Sequence, residues 1–409
     1  MAIRREGVFT YHVVQDRQRK NLAILELIRK KGPISRADIS RALGLNIVSV
    51  SNYLDFYINK KMVLEVGFDV SSGGRRPELL QLNPKSAYIV GVDVGPNTIK
   101  AVVTDLQVNL VSSASSARPD VSIEDLPVHV AKTVEEAISK GKIDKNQIKA
   151  IGVGVSGIID YASGTIHDTD PGRHRTKTGL LKFGKTIEQK FYIPVYIGND
   201  ASCAAFGENT LNPSSDVENL LYMYSDVGLG IVAQGEVYCG SSGCAGEVQL
   251  VFGSLQKDEK AAMKEYTHMR PWGVDLGIVD EARKMIEKGL STDILKIALG
   301  DKNKITKEAV VEAARKKDNV AAQIVSAAGS NLGVRIAYLV NIFNPDIIVI
   351  GGGVEKAGDV FMDSVKGTVK RFSFEEPASI VKIIPSMLED NAVVLGAAAL
   401  AAREVFIET

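Results

Sequence analysis

Residues 33–59 read Pro33-Ile-Ser-Arg-Ala-Asp-Ile-Ser-Arg-Ala-Leu-Gly-Leu-Asn-Ile-Val-Ser-Val-Ser-Asn-Tyr-Leu-Asp-Phe-Tyr-Ile-Asn59. Ser35 is placed to cap a helix, with Asp38 three residues on, a variant of the capping box. That helix is expected over Arg36–Leu43, with Ala37, Ile39, Ala42 and Leu43 turned inward. Gly44 supplies a left-handed residue for a tight turn. Asn46 then caps a longer helix over Ile47–Asn59, burying Val50, Leu54 and Ile58. Two helices joined through a glycine turn form a helix-turn-helix, whose second helix enters the major groove of DNA by its N-terminal end. That end carries Ser49, Ser51, Asn52 and Tyr53, polar groups suited to base edges, with Arg36 and Asn46 beside them.

Working outward, apolar positions at Leu22, Ile24, Leu25, Leu27 and Ile28 predict a preceding helix over Arg17–Lys31, stopped by Gly32-Pro33. On the other side, Met62–Phe68 and Glu78–Leu82 alternate as strands around Ser71-Ser-Gly-Gly-Arg-Arg-Pro77. This is a hairpin with a basic tip, the wing of a winged helix-turn-helix, and it offers Arg75 and Arg76 to phosphate or the minor groove. Residues 1–82 hold 14 Lys+Arg against 8 Asp+Glu, so this head carries about +6 while the neutral whole leaves about −6 on the remainder. A basic head on an acidic body points to a polyanionic partner.

A chain of 409 residues exceeds one ordinary core. Its three cysteines, Cys203, Cys239 and Cys244, imply no disulfide framework and fit a reducing compartment. No apolar run is long enough for a membrane span, and the first residues lack a secretory h-region, so a cytoplasmic protein is expected.

The remainder alternates strands, glycine turns and helices, the pattern of an α/β fold. Tyr88–Gly95 and Ile99–Asp105 read as a hairpin, followed by a helix over Leu126–Ser139 and strands at Ala150–Ser156 and Val195–Asp200. Further strands fall at Leu220–Tyr224, Gly230–Gln234 and Ile347–Gly351, and helices at Thr306–Lys316 and Ala321–Phe343. The strand–glycine turn unit recurs near residues 91, 228 and 351, which suggests two similar lobes with a cleft between them.

Seven segments, in order, resemble the ROK family (repressors, open reading frames and sugar kinases), in particular its transcriptional-regulator branch, which includes the N-acetylglucosamine and xylose repressors. In the head they are Pro33–Leu45 and Gly74-Arg-Arg-Pro-Glu-Leu-Leu-Gln-Leu-Asn83. In the body they are Gly91-Val-Asp-Val-Gly95, Gly198-Asn-Asp-Ala201, Ala245-Gly-Glu247, Asn344-Pro-Asp-Ile-Ile-Val-Ile-Gly-Gly-Gly-Val354 and Leu395-Gly-Ala-Ala398. The resemblance implies a two-lobed actin-like, hexokinase-like (ribonuclease H-like) body behind the winged head. The expected division is a head over 1–82, a first lobe over 83–198 completed by the C-terminal helix 392–409, and a second lobe over 199–391.

It also implies a sugar site. Asp200 resembles the family's catalytic base, here vestigial, and Ser156, Gly157, Asn199 and Glu247 resemble its pocket partners. A carboxylate beside an amide suits sugar hydroxyls, since one accepts and the other does both. The phosphate side departs from the family. Its kinases carry Gly-Gly-Thr-Lys where this chain has Gly95-Pro-Asn-Thr98, so Pro96 removes a backbone donor and Thr98 replaces the lysine. Their second loop, Gly-Thr-Gly-x-Gly-x-Gly, is Tyr224-Ser-Asp-Val-Gly-Leu-Gly230 here, and Asp226 sets a negative charge toward polyphosphate. The family's zinc site uses a histidine where Leu250 stands and a cysteine cluster absent from Val251–Asp258, so no metal is expected, and no cofactor. The family's pocket asparagine has no counterpart in Thr165–Gly179, where His167 and His174 lie; Trp272 has no assigned role.

The expectation is a sugar-responsive regulator, not an enzyme, with operator DNA and a small sugar as partners. A homodimer or higher homo-oligomer is expected, because one recognition helix reads too few base pairs for genomic specificity. A ROK sugar kinase and a regulator controlled by a protein partner are the alternatives.

Overall fold

The computed structural model describes residues 7–11, 15–68, 76–168, 176–215, 217–224, 228–248 and 276–408. Arg75, His174, Asp226, Leu250, the stretch 251–258 and Trp272 lie outside the described residues. The chain divides into two units, Met1–Cys203 with Val393–Thr409, and Ala204–Ala392.

Within the first unit the head packs three helices, α1 (Asp16–Lys31), α2 (Arg36–Leu43) and α3 (Ile47–Asn59), on a small antiparallel sheet. Its strands β1 (Ile34–Ser35), β2 (Val63–Phe68) and β3 (Glu78–Leu82) run in the order β1-β3-β2. The caps form as the sequence predicts. The Ser35 side chain accepts from the Asp38 N–H, Asn46 accepts from the Val48 N–H, and Gly44 is left-handed with φ 63°.

The buried faces differ in two places. In α2 only Ile39 is buried, while Ala37 and Ala42 are exposed. At about 100° per residue, Ala37 lies on the far side of so short a helix from Ile39, and Ala42 is a full step from Leu43. In α3 the buried stripe is Val50, Leu54 and Tyr57, and Ile58 is only half-buried. Tyr57 is fully enclosed and continues the i, i+4, i+7 row. The head core is also continuous with the lobe behind it, through Ala87, Leu106, Phe406 and Ile407.

The rest of the first unit is built on five strands: β4 (Tyr88–Val94), β5 (Thr98–Asp105), β6 (Leu110–Ala117), β7 (Ile148–Val155) and β11 (Val195–Asn199). They run in the order β11-β7-β4-β5-β6. The first three form an antiparallel meander, and β7 and β11 add in parallel beside β4. Three short strands, β8 (Ile158–Asp160), β9 (Thr165–His167) and β10 (Lys177–Gly179), form a separate antiparallel sheet. Helices α4 (Leu126–Gly141) and α5 (Leu180–Phe191) bury apolar stripes in this unit's core. The C-terminal helix Ala392–Glu408 also packs on the sheet, its small residues letting its backbone approach Gly91 and Gly152 closely.

The second unit repeats this path. Strands β12 (Leu220–Tyr224), β13 (Gly228–Ala233), β14 (Glu236–Val237), β15 (Ile347–Gly351) and β16 (Lys382–Pro385) run in the order β14-β13-β12-β15-β16, again a meander followed by parallel additions. The long helix Asn319–Phe343 and the helix Asp359–Phe372 cover one core face. Both sheets are thus of the actin-like type within an α/β chain. No described helix is long and apolar enough to cross a membrane.

Candidate functional site

Parallel strands leave their connecting loops at one edge, and ligands of open α/β sheets bind outside the carboxyl ends of those strands. In the first unit this edge is set by register: Asp93 of β4 lies opposite Gly154 of β7, which lies opposite Gly198 of β11. Four sequence-predicted residues gather there. Ser156 and Gly157 follow β7, Asn199 ends β11, and Asp200 opens α6 (Asp200–Leu211). The Ser156 N–H donates to the Val94 carbonyl at 3.0 Å, which ties two of the loops. The Asn199 amide donates to the Gly157 carbonyl at 3.2 Å, and its oxygen accepts from the Ser202 N–H at 3.1 Å, capping α6. Gly157 has φ +140°, and a Cβ there would come 2.5 Å from the His167 carbonyl oxygen, so only glycine fits.

Asp200 is buried, and burial pushes its carboxyl up to about 6. Hydrogen bonds from the Ala201 N–H and from the Ser156 and Asn199 side chains act the other way. The Ala201 bond measures 2.8 Å. A second acid shares the site. Asp93 is pushed up to about 7, first by burial and then by the charge of Asp200, with Lys100 opposing. The sequence reading placed Asp93 only at a strand end. Its pairing with a residue about a hundred positions away depends on the parallel register of β4, β7 and β11, which local pattern does not encode. Two carboxyls that cannot both ionise readily can accept from sugar hydroxyls while one holds a proton.

Glu247 lies in the second unit and is exposed. There Tyr224 ends β12, with its ring stacked at 6.3 Å on Tyr222, whose hydroxyl lies against Gly351. His167, in β9, bonds the Thr165 hydroxyl at 2.8 Å. Among the described residues no group of three His, Cys, Asp or Glu side chains could hold a metal ion.

The raised acids predict a pH dependence. A folded carboxyl near 7 keeps its proton where the unfolded chain, near 4, has lost it, so stability falls as pH rises from about 4 through about 7. Asp93→Asn removes this loss. Its stability relative to the parent rises between pH 5 and pH 8, by about 2–3 kcal/mol. Thermal melts at the two pH values test this; an offset independent of pH contradicts it.

In the head, the surface of α3 presents Ser49 and Asn52 to solvent, with Ser51 and Tyr53 partly covered. Asn46 is exposed, and its side-chain oxygen serves as the helix cap. Arg76 is exposed at the base of the hairpin. Arg36 faces three carboxylates, Glu65 at 3.0 Å, Glu78 at 3.4 Å and Asp55 at 3.8 Å, so its charge is largely spent within the head. The sequence reading missed Ile47 and Val48, which are 48% and 63% exposed at the start of α3. Apolar groups there suit thymine methyls. Their signal was present, as two β-branched residues on the polar side of the buried stripe.

The ROK family model matches residues 89–253 and 282–404. A putative xylose repressor of Caldicellulosiruptor sp. (strain Rt8B.4) is 31% identical over 94% of this chain and 95% of its own length. The DNA-binding transcriptional dual regulator NagC of Escherichia coli (strain K12) is 24% identical over 95% and 93%. Among solved structures, a ROK family transcriptional regulator, homolog of the E. coli MLC protein, superposes with a TM-score of 0.75 over 96% of this chain and 98% of its own, at 22% identity. A ROK family glucokinase from Streptomyces griseus, in complex with glucose and AMPPNP, reaches 0.65 over 77% of this chain and 99% of its own, at 23% identity.

Proposed function

The chain belongs to the ROK family, and from that premise we propose that it is a sugar-responsive transcriptional regulator, a repressor that holds operator DNA with its head and a sugar or sugar derivative at Asp200. One observation carries the reading. The relatives named as a putative xylose repressor and as a transcriptional dual regulator align over about the whole chain, head included, whereas the glucokinase covers 77% of it. In this reading the DNA-binding head lies within residues 1–82, and Arg75 and Arg76 are offered to phosphate or the minor groove. Ser49, Ser51, Asn52 and Tyr53 face bases, and two copies of the chain bind two half-sites. A DNA ligand places its work in the cytoplasm. Asp93, Ser156, Gly157, Asn199 and Asp200 take sugar hydroxyls, and Glu247 is a further candidate acceptor.

A second reading, a sugar kinase, is favoured by one observation: a buried carboxyl raised to about 6 is a poised base. The phosphate side supports the regulator instead. Pro96 has no N–H, the Gly95 N–H is spent on the Thr98 carbonyl at 3.0 Å, and the Gly353 N–H is spent on the Glu355 carboxylate at 2.7 Å. Lys307 donates to the Gly352 carbonyl at 2.5 Å. These turns serve themselves and offer little to a polyphosphate.

The test is a panel of pentoses, hexoses and amino sugars, read by the melting temperature of the protein and by the anisotropy of a labelled duplex from upstream of its own gene. At least one sugar is expected to raise the melting temperature and change operator affinity. Phosphorylation of any sugar from ATP at ordinary rates would establish the kinase instead, and silence across the panel would favour control by a protein partner. For the head, Asn52→Ala is expected to cost about 1–3 kcal/mol of operator binding, and Arg76→Ala to lower the salt slope by about one. Unchanged binding in both would misplace the DNA surface.

A further inference from the structure

The short segment Gly7–Tyr11 precedes the head, yet its side chains pack on the lobe behind it. Val8 pairs in parallel with Ile197 of β11, and the Ile197 N–H donates to the Gly7 carbonyl at 3.0 Å. Val8, Phe9 and Tyr11 are buried. The Phe9 ring stacks on Tyr196 with centroids 6.2 Å apart, and the Tyr11 ring lies 6.3 Å from that of Tyr161. Both aromatics close over Gly198. A Cβ at that position would come 2.8 Å from Phe9 Cδ2 and would overlap the Tyr11 hydroxyl. Gly198 is the residue before Asn199 and Asp200, so the floor of the candidate sugar site is roofed from behind by this segment.

The segment also reaches the other way. The Thr10 N–H and hydroxyl both donate to the carboxylate of Glu404, itself buried on the C-terminal helix. The end of that helix supplies Phe406 and Ile407 to the head core, and Gln18 of α1 donates to the Ile407 carbonyl at 3.4 Å. A continuous row of contacts therefore runs from Gly198 through Phe9, Tyr11, Thr10 and Glu404 to α1, all inside one unit. Phe9 and Tyr11 do not belong to the head core, which is closed by other residues.

We propose that residues 7–11 are a strap that couples the sugar site to the DNA-binding head. A sugar that shifts the Gly198–Asp200 turn shifts the aromatics resting on it, and Thr10 and Glu404 pass that shift to α1. This rests on the reading of Asp200 as a sugar site. Phe9 and Tyr11 act as positioning residues and touch neither sugar nor DNA.

The test uses the full chain, with D-xylose as probe or, if it is silent, the panel sugar that most raises the parent's melting temperature. For parent and the F9A/Y11A variant, three quantities are measured: operator affinity without sugar, sugar affinity from the melting shift, and the ratio of operator affinities with and without saturating sugar. The variant is expected to keep the first two within about threefold and to lose the third, the ratio falling toward one. A ratio equal to the parent's overturns the strap. Thr10→Ala, which spares the aromatics, guards against misfolding of the double variant. It is expected to weaken the ratio at least threefold, and an unchanged ratio overturns the relay through the Thr10 hydroxyl. A parent that binds no panel sugar overturns the sugar site itself, an outcome separate from a parent that responds alongside a variant that responds equally.

Discussion

Asp200→Ala is expected to abolish the proposed sugar response: no sugar should raise the melting temperature of the variant, and its operator affinity should be the same with and without sugar. The carboxylate is the buried acceptor at the centre of the site, already oriented by the Ala201 N–H and Ser156. Hydrogen bonds from a sugar to a charged acceptor contribute about 1.5–3 kcal/mol each. Losing two such bonds costs about 3–6 kcal/mol, some hundredfold to about ten-thousandfold in affinity. The isosteric Asp200→Asn keeps the shape and loses the charge, so a smaller loss, about tenfold to a hundredfold, is expected. Misfolding is a poor explanation for either result, because removing one of two mutually repelling buried acids relieves Asp93. An Asp200→Ala protein that still responds at the parent's sugar concentration refutes the site.

The largest loss of stability is expected from Asp168→Ala. Arg118 follows β6, and Asp168 follows β9, so the pair ties the meander to the small sheet. Their side chains are 1% and 3% exposed and meet at 2.6 Å, and Arg118 also donates to the Gly95 carbonyl at 3.1 Å. Removing the carboxylate leaves a buried guanidinium without its main counter-charge, at a cost of about 3–5 kcal/mol. For a unit of this size the melting temperature falls by about 10 °C. Replacing both partners, Arg118→Met with Asp168→Leu, is expected to recover most of that, since the pair's attraction barely outweighs its desolvation. A melting temperature within about 2 °C of the parent for Asp168→Ala shows that water reaches the pair.

What the sequence revealed and what it hid divide along one physical line. Ser35, Gly44 and Asn46 were legible because a cap or a left-handed turn is a matter between residues two or three apart. The strands around Asp93 and Asp200 were legible because each is a short apolar run ended by glycine or polar residues. Their meeting was not, since it depends on three strands aligning in parallel. Arg118 and Asp168 went unnoticed as a pair for the same reason, and so did Arg36, whose three carboxylates come from α3 and both hairpin strands. The inward face of α2 was misjudged at Ala37 and Ala42 because alanine tolerates either side of a helix, so periodicity alone carries little information there. Among the expected sugar residues, Ser156, Gly157, Asn199 and Asp200 converge in one unit.

The sharing of Phe406 and Ile407 with the head core has a consequence in time. A ribosome makes Leu82 more than 300 residues before Phe406 and Ile407, which help complete the head core. At about 5–20 residues per second, the interval between Leu82 and Phe406 is on the order of tens of seconds. Through that interval the nascent head lacks part of its apolar wall and the support behind α1. A regulator assembled in this order completes its head core only after the lobes between have been synthesised, so a product truncated before Phe406 is expected to hold the operator more weakly than the full chain.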